Sequence, residues 1–179
     1  MWEARLTSHD SQFTIHDFPL TWFENRLNQV KAEVNSLMSQ FRLSEALKTI
    51  YSLIWDDFCS WYLEWVKPGF EQPINATIYQ QTVVYFEELM QLLHPFMPFI
   101  TEDIYHQLQE RTDDLCVKQF VTPEPGDKKV LDAGELLKQV ISALRDARNR
   151  NQVKPKDAIQ LHIQTDNAEN YKGIENILA

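Results

Sequence analysis

The sequence predicts an all-α protein, an up-and-down helical bundle of about five helices with a short strand-containing C-terminal tail. Three observations lead to this fold class. Apolar residues recur at three- and four-residue steps over long stretches, which is the period of a helix with one buried face. Prolines and helix-capping residues separate these stretches. The alternation of apolar and polar residues that is typical of a strand occurs once, near the C terminus.

The first predicted helix extends from about Pro19 to Phe41. Thr21 and Glu24 have the spacing of a capping box, so we expect the helix to begin there. Its apolar residues recur at three- and four-residue steps, as expected for a helix, at Trp22, Leu27, Val30, Val34, Leu37 and Phe41.

The second predicted helix covers about residues 43–67 and stops at Pro68-Gly69. It contains the run IWDDFCSWYLEWVKP, which holds three tryptophans. With α-helical spacing, Trp55 shares a broad apolar arc with the other large apolar residues, so we interpret the tryptophans mainly as core residues. Asp57 and Glu64 fall on the far side of the helix, which favours solvated carboxylates over a catalytic pair.

Two further helices are predicted on either side of the segment HPFMP. Asn75 is expected to cap the third helix, which must end near His94 because two prolines follow. Pro98 suits the first turn of the fourth helix, since its missing N–H would be unpaired there anyway. This short helix extends to about Gln109.

The C-terminal part is less regular. A loop with several prolines follows the fourth helix, and a fifth helix is predicted over about residues 133–150. The stretch DAIQLHIQT then alternates apolar and polar residues and predicts a strand. We therefore expect a helical bundle over residues 1–155 and a small strand and helix appendage over residues 156–179.

The composition favours a cytoplasmic globular protein. Among 179 residues there are two cysteines and no basic-then-apolar leader, which predicts neither a disulfide framework nor secretion. No apolar run reaches the roughly 20 residues that a membrane span needs, so we expect no membrane contact. We also expect a monomer.

Residue patterns argue against chemistry carried by this chain. No glycine-rich phosphate loop is present. A di-iron bundle needs Glu-x-x-His on two helices, whereas Asp103-x-x-His106 only comes close and occurs once. The other histidines have no metal-ligand spacing. We therefore predict no catalytic residue, no metal site and no cofactor in this chain.

One charged cluster favours contact with nucleic acid. The stretch LRDARNRNQVKPK places five basic residues within twelve positions, namely Arg145, Arg148, Arg150, Lys154 and Lys156. Basic side chains at a helix end suit contacts with phosphates. They also interact favourably with the negative end of a helix. The pattern alone leaves both explanations open.

Several segments, in order along the chain, resemble the anticodon-binding domain of class I aminoacyl-tRNA synthetases. IWDDFCSWYLEWVKP is similar to the W-[DS]-E-F-C-D-W-Y-[IL]-E-x-x-K helix of the valyl-tRNA synthetases, a long and specific match. LLHPFMPFITEDIYHQL resembles a segment shared by the valine, isoleucine and leucine enzymes. The segment MWEARL resembles the motif K-x-W-N-A-x-R-F, and LTWFENRL resembles D-R-W-I-x-S-R-L. The segment ISALRDARNRNQVKP resembles a helix with the motif R-x-x-R. The resemblance spans essentially all 179 residues.

The resemblance implies a function in tRNA binding. The valyl-tRNA synthetases join valine to its tRNA with ATP, and this domain holds the anticodon stem-loop of tRNA(Val) and reads A and C at the middle and last anticodon positions. The H-I-G-H and K-M-S-K-S types of sequence, which carry the ATP chemistry of the family, are absent. We therefore expect a non-catalytic part of a valine–tRNA ligase. Its partners would be the catalytic core and coiled coil of the parent chain, and ATP would be a cofactor of that parent.

The resemblance also carries over five candidate RNA-binding residues. Arg5 matches the arginine of K-x-W-N-A-x-R-F and is expected at the anticodon loop. Trp22 matches the aromatic residue of D-R-W-I and is a candidate for base stacking. Arg26 matches the arginine of S-R-L, where a structural ion pair and a phosphate contact are both open. Arg145 and Arg148 match R-x-x-R and are candidates for contact with the RNA backbone.

Two other interpretations stand beside this one. The chain is alternatively the equivalent domain of an isoleucyl- or leucyl-tRNA synthetase, against which the run W-D-D-F-C-S-W-Y argues. The other alternative is a helical protein-interaction module without RNA binding. The net charge of −9 favours this module, since the field of a whole protein steers like charges apart. The ordered set of matching segments favours RNA binding instead.

Overall fold

The structure, a computed structural model, describes residues 17–69, 71–154, 157–161, 164 and 177. Its contacts divide the chain into two compact units, Met1–Gly126 and Asp127–Ala179. The predicted separation of a bundle over 1–155 from an appendage over 156–179 stays a prediction.

The first unit consists of helices in its described residues. They are α1 (Asp17–Ser39), α2 (Leu43–Ser52), a π-helix (Leu53–Tyr62), α3 (Leu63–Val66), α4 (Ala76–Leu93), α5 (Pro98–Leu108) and a 3₁₀ turn (Leu115–Val117). The elements α2, π-helix and α3 follow one another directly, so they occupy the span predicted for the second helix. The predicted all-α fold class is confirmed.

Two of the predicted helix starts in this unit are confirmed by their capping geometry. Asn75 Oδ1 accepts hydrogen bonds from the backbone N of Thr77 at 2.8 Å and of Ile78 at 3.3 Å, which satisfies two N–H groups that the helix leaves unpaired. Pro98 is the first residue of α5, as its missing N–H allows.

The predicted capping box at the start of α1 is wrong. The helix already includes Asp17, so Thr21 and Glu24 lie inside it. The carbonyl oxygen of Thr21 accepts a bond from Asn25 Nδ2 at 2.7 Å. Pro19 is compatible with the earlier start, because it lies in the first turn of α1, where a missing N–H costs no bond within the helix.

An aromatic cluster around Phe23 holds α1, the π-helix and α4 together. The fully buried Phe23 ring lies 4.8 Å from Tyr62, 5.2 Å from Phe58 and 5.1 Å from Tyr85, measured between ring centroids. The hydroxyls of this cluster are satisfied, since Tyr85 donates to Leu20 O at 3.0 Å and Tyr62 Oη lies 2.7 Å from Thr82 Oγ1. Rings at these separations pack favourably beyond the area that they bury.

The π-helix changes which residues of the tryptophan-rich run are buried. Its hydrogen bonds reach one residue further back than those of an α-helix, as shown by Leu63 N, which donates to Phe58 O. Each turn therefore contains more residues, and buried positions recur at steps of four and five, at Leu53, Phe58, Tyr62 and Val66. Trp55 is exposed, so its predicted place in the core is wrong. Asp57, predicted to be solvated, is buried.

The second unit contains α6, which spans Lys128–Arg150. It begins earlier than the predicted start near Ala133, because Asp127 caps it by accepting a bond from Lys129 N at 2.8 Å. No strand is present among the described residues of DAIQLHIQT, and His162, Ile163 and Thr165 lie outside the described residues. The strand stays a prediction.

Candidate nucleic-acid interface

Trp22 on α1 lies in the core of the first unit. Its side chain is 1% exposed, and its ring lies edge-on to Trp65 with 4.8 Å between centroids. A base can stack only on an aromatic face that the RNA can reach. This geometry favours a packing role for Trp22 over base stacking.

Arg26 lies one turn further along α1 and forms a structural ion pair. Its Nε donates to Asp57 Oδ2 at 2.8 Å, and its Nη1 donates to Gln29 Oε1 at 2.6 Å. The Asp57 side chain is 6% exposed, whereas that of Arg26 is 27% exposed. The guanidinium therefore neutralises a buried carboxylate, and this favours the structural explanation that the sequence left open. Arg5 lies outside the described residues, and its contact with the anticodon loop stays a prediction.

The basic cluster lies at the C-terminal end of α6, in the second unit. Arg145, Arg150 and Lys154 are exposed, and Arg148 is half-buried. Arg145 and Arg148 are three residues apart on one helix, so they lie on neighbouring positions of its surface. Asp146 is the acidic residue within this stretch. The end of α6 therefore presents several positive charges close together in sequence.

Arg148 holds the segment that follows α6. Its Nη1 donates to the carbonyl oxygens of Lys154 at 2.9 Å and Asp157 at 3.1 Å. The chain turns back at Gln152, whose φ of 56° lies in the left-handed region, and Val153 N then bonds to Arg148 O at 3.0 Å. This is the geometry in which helices commonly end. Arg148 thus fixes where Lys154 lies relative to the helix.

Charge is divided unevenly between the two units of the sequence. Residues 1–126 contain 8 Lys and Arg against 18 Asp and Glu, whereas residues 127–179 contain 9 against 8. The net charge of −9 therefore belongs to the first unit, which carries −10, and the second carries +1. At physiological salt, charges more than roughly 8 Å apart are largely screened, so local charge governs contact with a phosphate. The acidic total does not argue against RNA binding by α6.

Two exposed aromatic rings were not predicted from the sequence. Tyr51 and Trp55 are 61% and 59% exposed and stack on each other, with 6.3 Å between centroids and 13° between planes. Exposed aromatic faces suit stacking by unpaired bases. The apolar arc predicted from an α-helical period includes both residues. Tyr51 lies in α2, whose buried residues are Ala46 and Ile50, and Trp55 lies in the π-helix that follows.

The described residues contain one group with metal-ligand spacing, formed by Glu102, His106 and Asp114. It includes none of the five candidate RNA-binding residues.

Within the described part of the chain, no helix is both long and apolar enough to cross a membrane.

The sequence model of the family described as "Anticodon-binding domain of tRNA ligase" matches residues 21–163. Curated relatives with the name valine–tRNA ligase are similar over most of the chain. The protein of Porphyromonas gingivalis is 44% identical over 142 residues, which is 78% of this chain and 16% of the relative. That of Parabacteroides distasonis is 41% identical over 155 residues, 86% of this chain and 18% of the relative. That of Bacteroides fragilis is 40% identical over 164 residues, 90% of this chain and 19% of the relative.

The chain therefore spans less than one fifth of the length of these relatives. The matched region includes the whole of α1 after Leu20, all later described helices and the basic end of α6.

Proposed function

Because the chain belongs to the family of anticodon-binding domains of tRNA ligases, we propose that it binds the anticodon stem-loop of tRNA(Val) as part of a valine–tRNA ligase. The observation that carries this proposal is the identity of 40–44% to proteins named valine–tRNA ligase over 78–90% of this chain. In the parent protein, ATP-dependent joining of valine to tRNA belongs to a catalytic core that accompanies this domain. The cytoplasm, where translation takes place, is the proposed location, and a monomer is the proposed state.

The exposed basic end of α6 is the proposed contact with the RNA backbone. Arg145, Arg150 and Lys154 are exposed there, and guanidinium and ammonium groups bind phosphate by charge-assisted hydrogen bonds. Arg148 acts as a positioning residue, because its guanidinium holds the carbonyls of Lys154 and Asp157. Such contacts give affinity without base specificity.

Base reading requires other groups. Arg5 stays the proposed contact to the anticodon loop. The burial of Trp22 and the ion pair of Arg26 support structural roles for these two residues. The exposed pair of Tyr51 and Trp55 offers an alternative stacking surface in the first unit.

The phosphate contact is tested by removing single charges and measuring affinity for a valine tRNA stem-loop over a salt series. Each phosphate contact to a single strand contributes about 0.7 to the slope of log K against log salt. Arg145→Gln, Arg150→Gln and Lys154→Gln should each weaken binding and make this slope shallower.

Lys67→Gln is the matched control. Lys67 is also exposed beside a helix end, but it lies in the acidic first unit next to Glu64. If Lys67→Gln weakens binding as much as the three α6 variants, the assignment of phosphate contact to α6 is wrong.

The protein-interaction module without RNA binding makes the opposite prediction. It predicts no binding of the stem-loop at any salt concentration. The acidic first unit favours this alternative, whereas the family match over 21–163 supports RNA binding.

A further inference from the structure

Three side chains of metal-ligand type meet where α5 and the following loop come together. Glu102 and His106 are one turn apart on α5, and Asp114 directly precedes the 3₁₀ turn. His106 Nε2 lies 3.1 Å from Asp114 Oδ1 and 3.4 Å from Glu102 Oε1. All three ligand atoms lie within 4.8 Å of one another.

The two distances at His106 are close to those between neighbouring ligands of a tetrahedral metal site. Zn²⁺ binds imidazole nitrogen and carboxylate oxygen at about 2.0–2.2 Å. In a regular tetrahedron, bonds of that length place neighbouring ligand atoms about 3.3–3.6 Å apart. The two distances at His106 therefore require little movement of the side chains to admit the ion.

Glu102 is already held in place by the backbone of the loop. Its Oε1 accepts a bond from Leu115 N at 2.6 Å, and its Oε2 lies 3.2 Å from Cys116 N, which donates to it. A carboxylate has about four acceptor positions, so two remain for other contacts. Outer hydrogen bonds that orient a ligand are a regular feature of metal sites.

His94 approaches the same carboxylate from the other side. Its Nδ1 lies 2.8 Å from Thr101 Oγ1, and the Thr101 hydroxyl donates to Met97 O at 2.9 Å. His94 Nε2 lies 3.9 Å from Glu102 Oε2. His94 therefore neighbours the three-residue group without belonging to it.

We propose that Glu102, His106 and Asp114 bind a divalent transition metal such as Zn²⁺. A ligand set of one imidazole and two carboxylates suits Zn²⁺ better than Mg²⁺ or Ca²⁺, which prefer oxygen ligands alone. The ion would tie α5 to the loop before the 3₁₀ turn. This site is independent of the proposed RNA contact.

The sequence prediction of no metal site considered a different pair. Asp103-x-x-His106 was the near match, but Asp103 accepts a bond from Gln107 Nε2 at 2.6 Å and takes no part in the cluster. Glu102 and His106 have i, i+4 spacing, which alone is common on solvated helices. The third ligand, Asp114, lies in an irregular loop that periodicity cannot position.

The test is Zn²⁺ binding by the untagged chain, measured by isothermal titration calorimetry. The two exposed cysteines, Cys59 and Cys116, are replaced by Ser because thiolates bind zinc. We expect one Zn²⁺ per chain and a higher melting temperature with Zn²⁺. His106→Ala and Asp114→Asn should each weaken binding by about tenfold or more, as even outer-shell changes weaken metal sites by 10–100-fold.

Asp103→Asn is the matched control, since it removes one carboxylate from the same helix turn without touching the cluster. The Asp103→Asn variant should bind Zn²⁺ as tightly as the chain with Asp103 in place. The proposal is overturned if the chain with all three ligands intact binds no Zn²⁺. In that case His106 is only an ion-pair partner of the two carboxylates. It is also overturned if Asp103→Asn weakens binding as much as Asp114→Asn, which would indicate adventitious surface binding.

Discussion

Arg26 and Asp57 show how a single ion pair connects two helices of the first unit. Removing one partner of a fully buried pair costs roughly 3–5 kcal/mol, because the other charge stays buried without compensation. The Arg26 side chain is 27% exposed, so water moderates the loss. Arg26→Ala should lower the free energy of unfolding by about 2 kcal/mol, as measured by urea denaturation.

The exposed pair of Arg42 and Glu45 is the control for this prediction. Both side chains are about half exposed, and exposed pairs contribute little to stability. Arg42→Ala should therefore destabilise the protein much less than Arg26→Ala. Equal losses would mean that Asp57 does not depend on Arg26. If stability falls while the salt slope of RNA binding is unchanged, Arg26 has a structural role.

Tyr85 predicts how stability depends on alkaline pH. Burial raises the pKa of Tyr85 well above its usual range, and the nearby charge of Glu24 adds to this. A raised folded-state pKa means that the folded protein keeps the proton longer than the unfolded chain. The ordinary pKa of tyrosine is about 10, so this stabilisation is fully present below about pH 10. It is lost as the pH rises through the pKa of the folded state.

Tyr85→Phe should make the loss of stability above about pH 10 shallower, as measured by urea denaturation at increasing pH. At pH 7 the variant should lose about 1 kcal/mol, because the hydrogen bond to Leu20 O is removed. An unchanged pH slope would contradict the assignment of this alkaline loss to Tyr85.

At the scale of elements, the sequence predicted the starts of α4 and α5 correctly and those of α1 and α6 wrongly. Asn75 before an apolar run and Pro98 after HPFMP act locally, so the sequence suffices to position α4 and α5. The start of α6 was missed, because the prediction followed the apolar period and passed over Asp127 as a cap. The capping box of α1 failed because Thr21 and Glu24 have the right spacing inside a continuing helix.

The cap at Asn75 can be tested by its side-chain oxygen. Asn75→Ala removes the acceptor for two backbone N–H groups and should cost about 1 kcal/mol of unfolding free energy. Asn75→Asp keeps an acceptor and places a negative charge at the positive end of α4, so it should be close to neutral in effect. Equal losses in the two variants would rule out capping by this oxygen.

The π-helix is the element that was not predicted from the sequence. Periodicity assumes 100° per residue, and a run of i, i+5 hydrogen bonds breaks that assumption across Leu53–Tyr62. The aromatic content of this run correctly indicated a helix packed in a bundle. The orientation of Trp55 and Asp57 was wrong, because each residue of a π-helix turns the side chains by a smaller angle.

At the scale of the whole molecule, fold class and family followed from the sequence, whereas the contact surface did not. Ordered motifs indicated an anticodon-binding domain, and the family match over 21–163 confirms it. Site residues were assigned through motif positions, which do not report exposure. Trp22 occupies the motif position of an aromatic residue but is buried against Trp65. Exposure depends on contacts between distant parts of the chain, so one sequence could not reveal it.

The uneven charge of the chain determines how RNA binding should respond to salt. The second unit is close to neutral overall, and its basic residues are concentrated at the end of α6. The acidic first unit repels phosphate, and salt screens this repulsion as well as the attraction. We therefore expect affinity to fall with salt with a slope set by a few local contacts, smaller than for a uniformly basic protein.

The central claim is that this domain recognises the anticodon stem-loop of a valine tRNA. The most direct test compares the affinity of the chain for that stem-loop with its affinity for a stem-loop in which the middle and last anticodon bases are changed, at one salt concentration. Recognition predicts that the changed loop binds roughly tenfold or more weakly, since losing one well-stacked base costs about 1–3 kcal/mol. Equal affinity for the two loops, or no binding of either at high micromolar concentration, would contradict the claim.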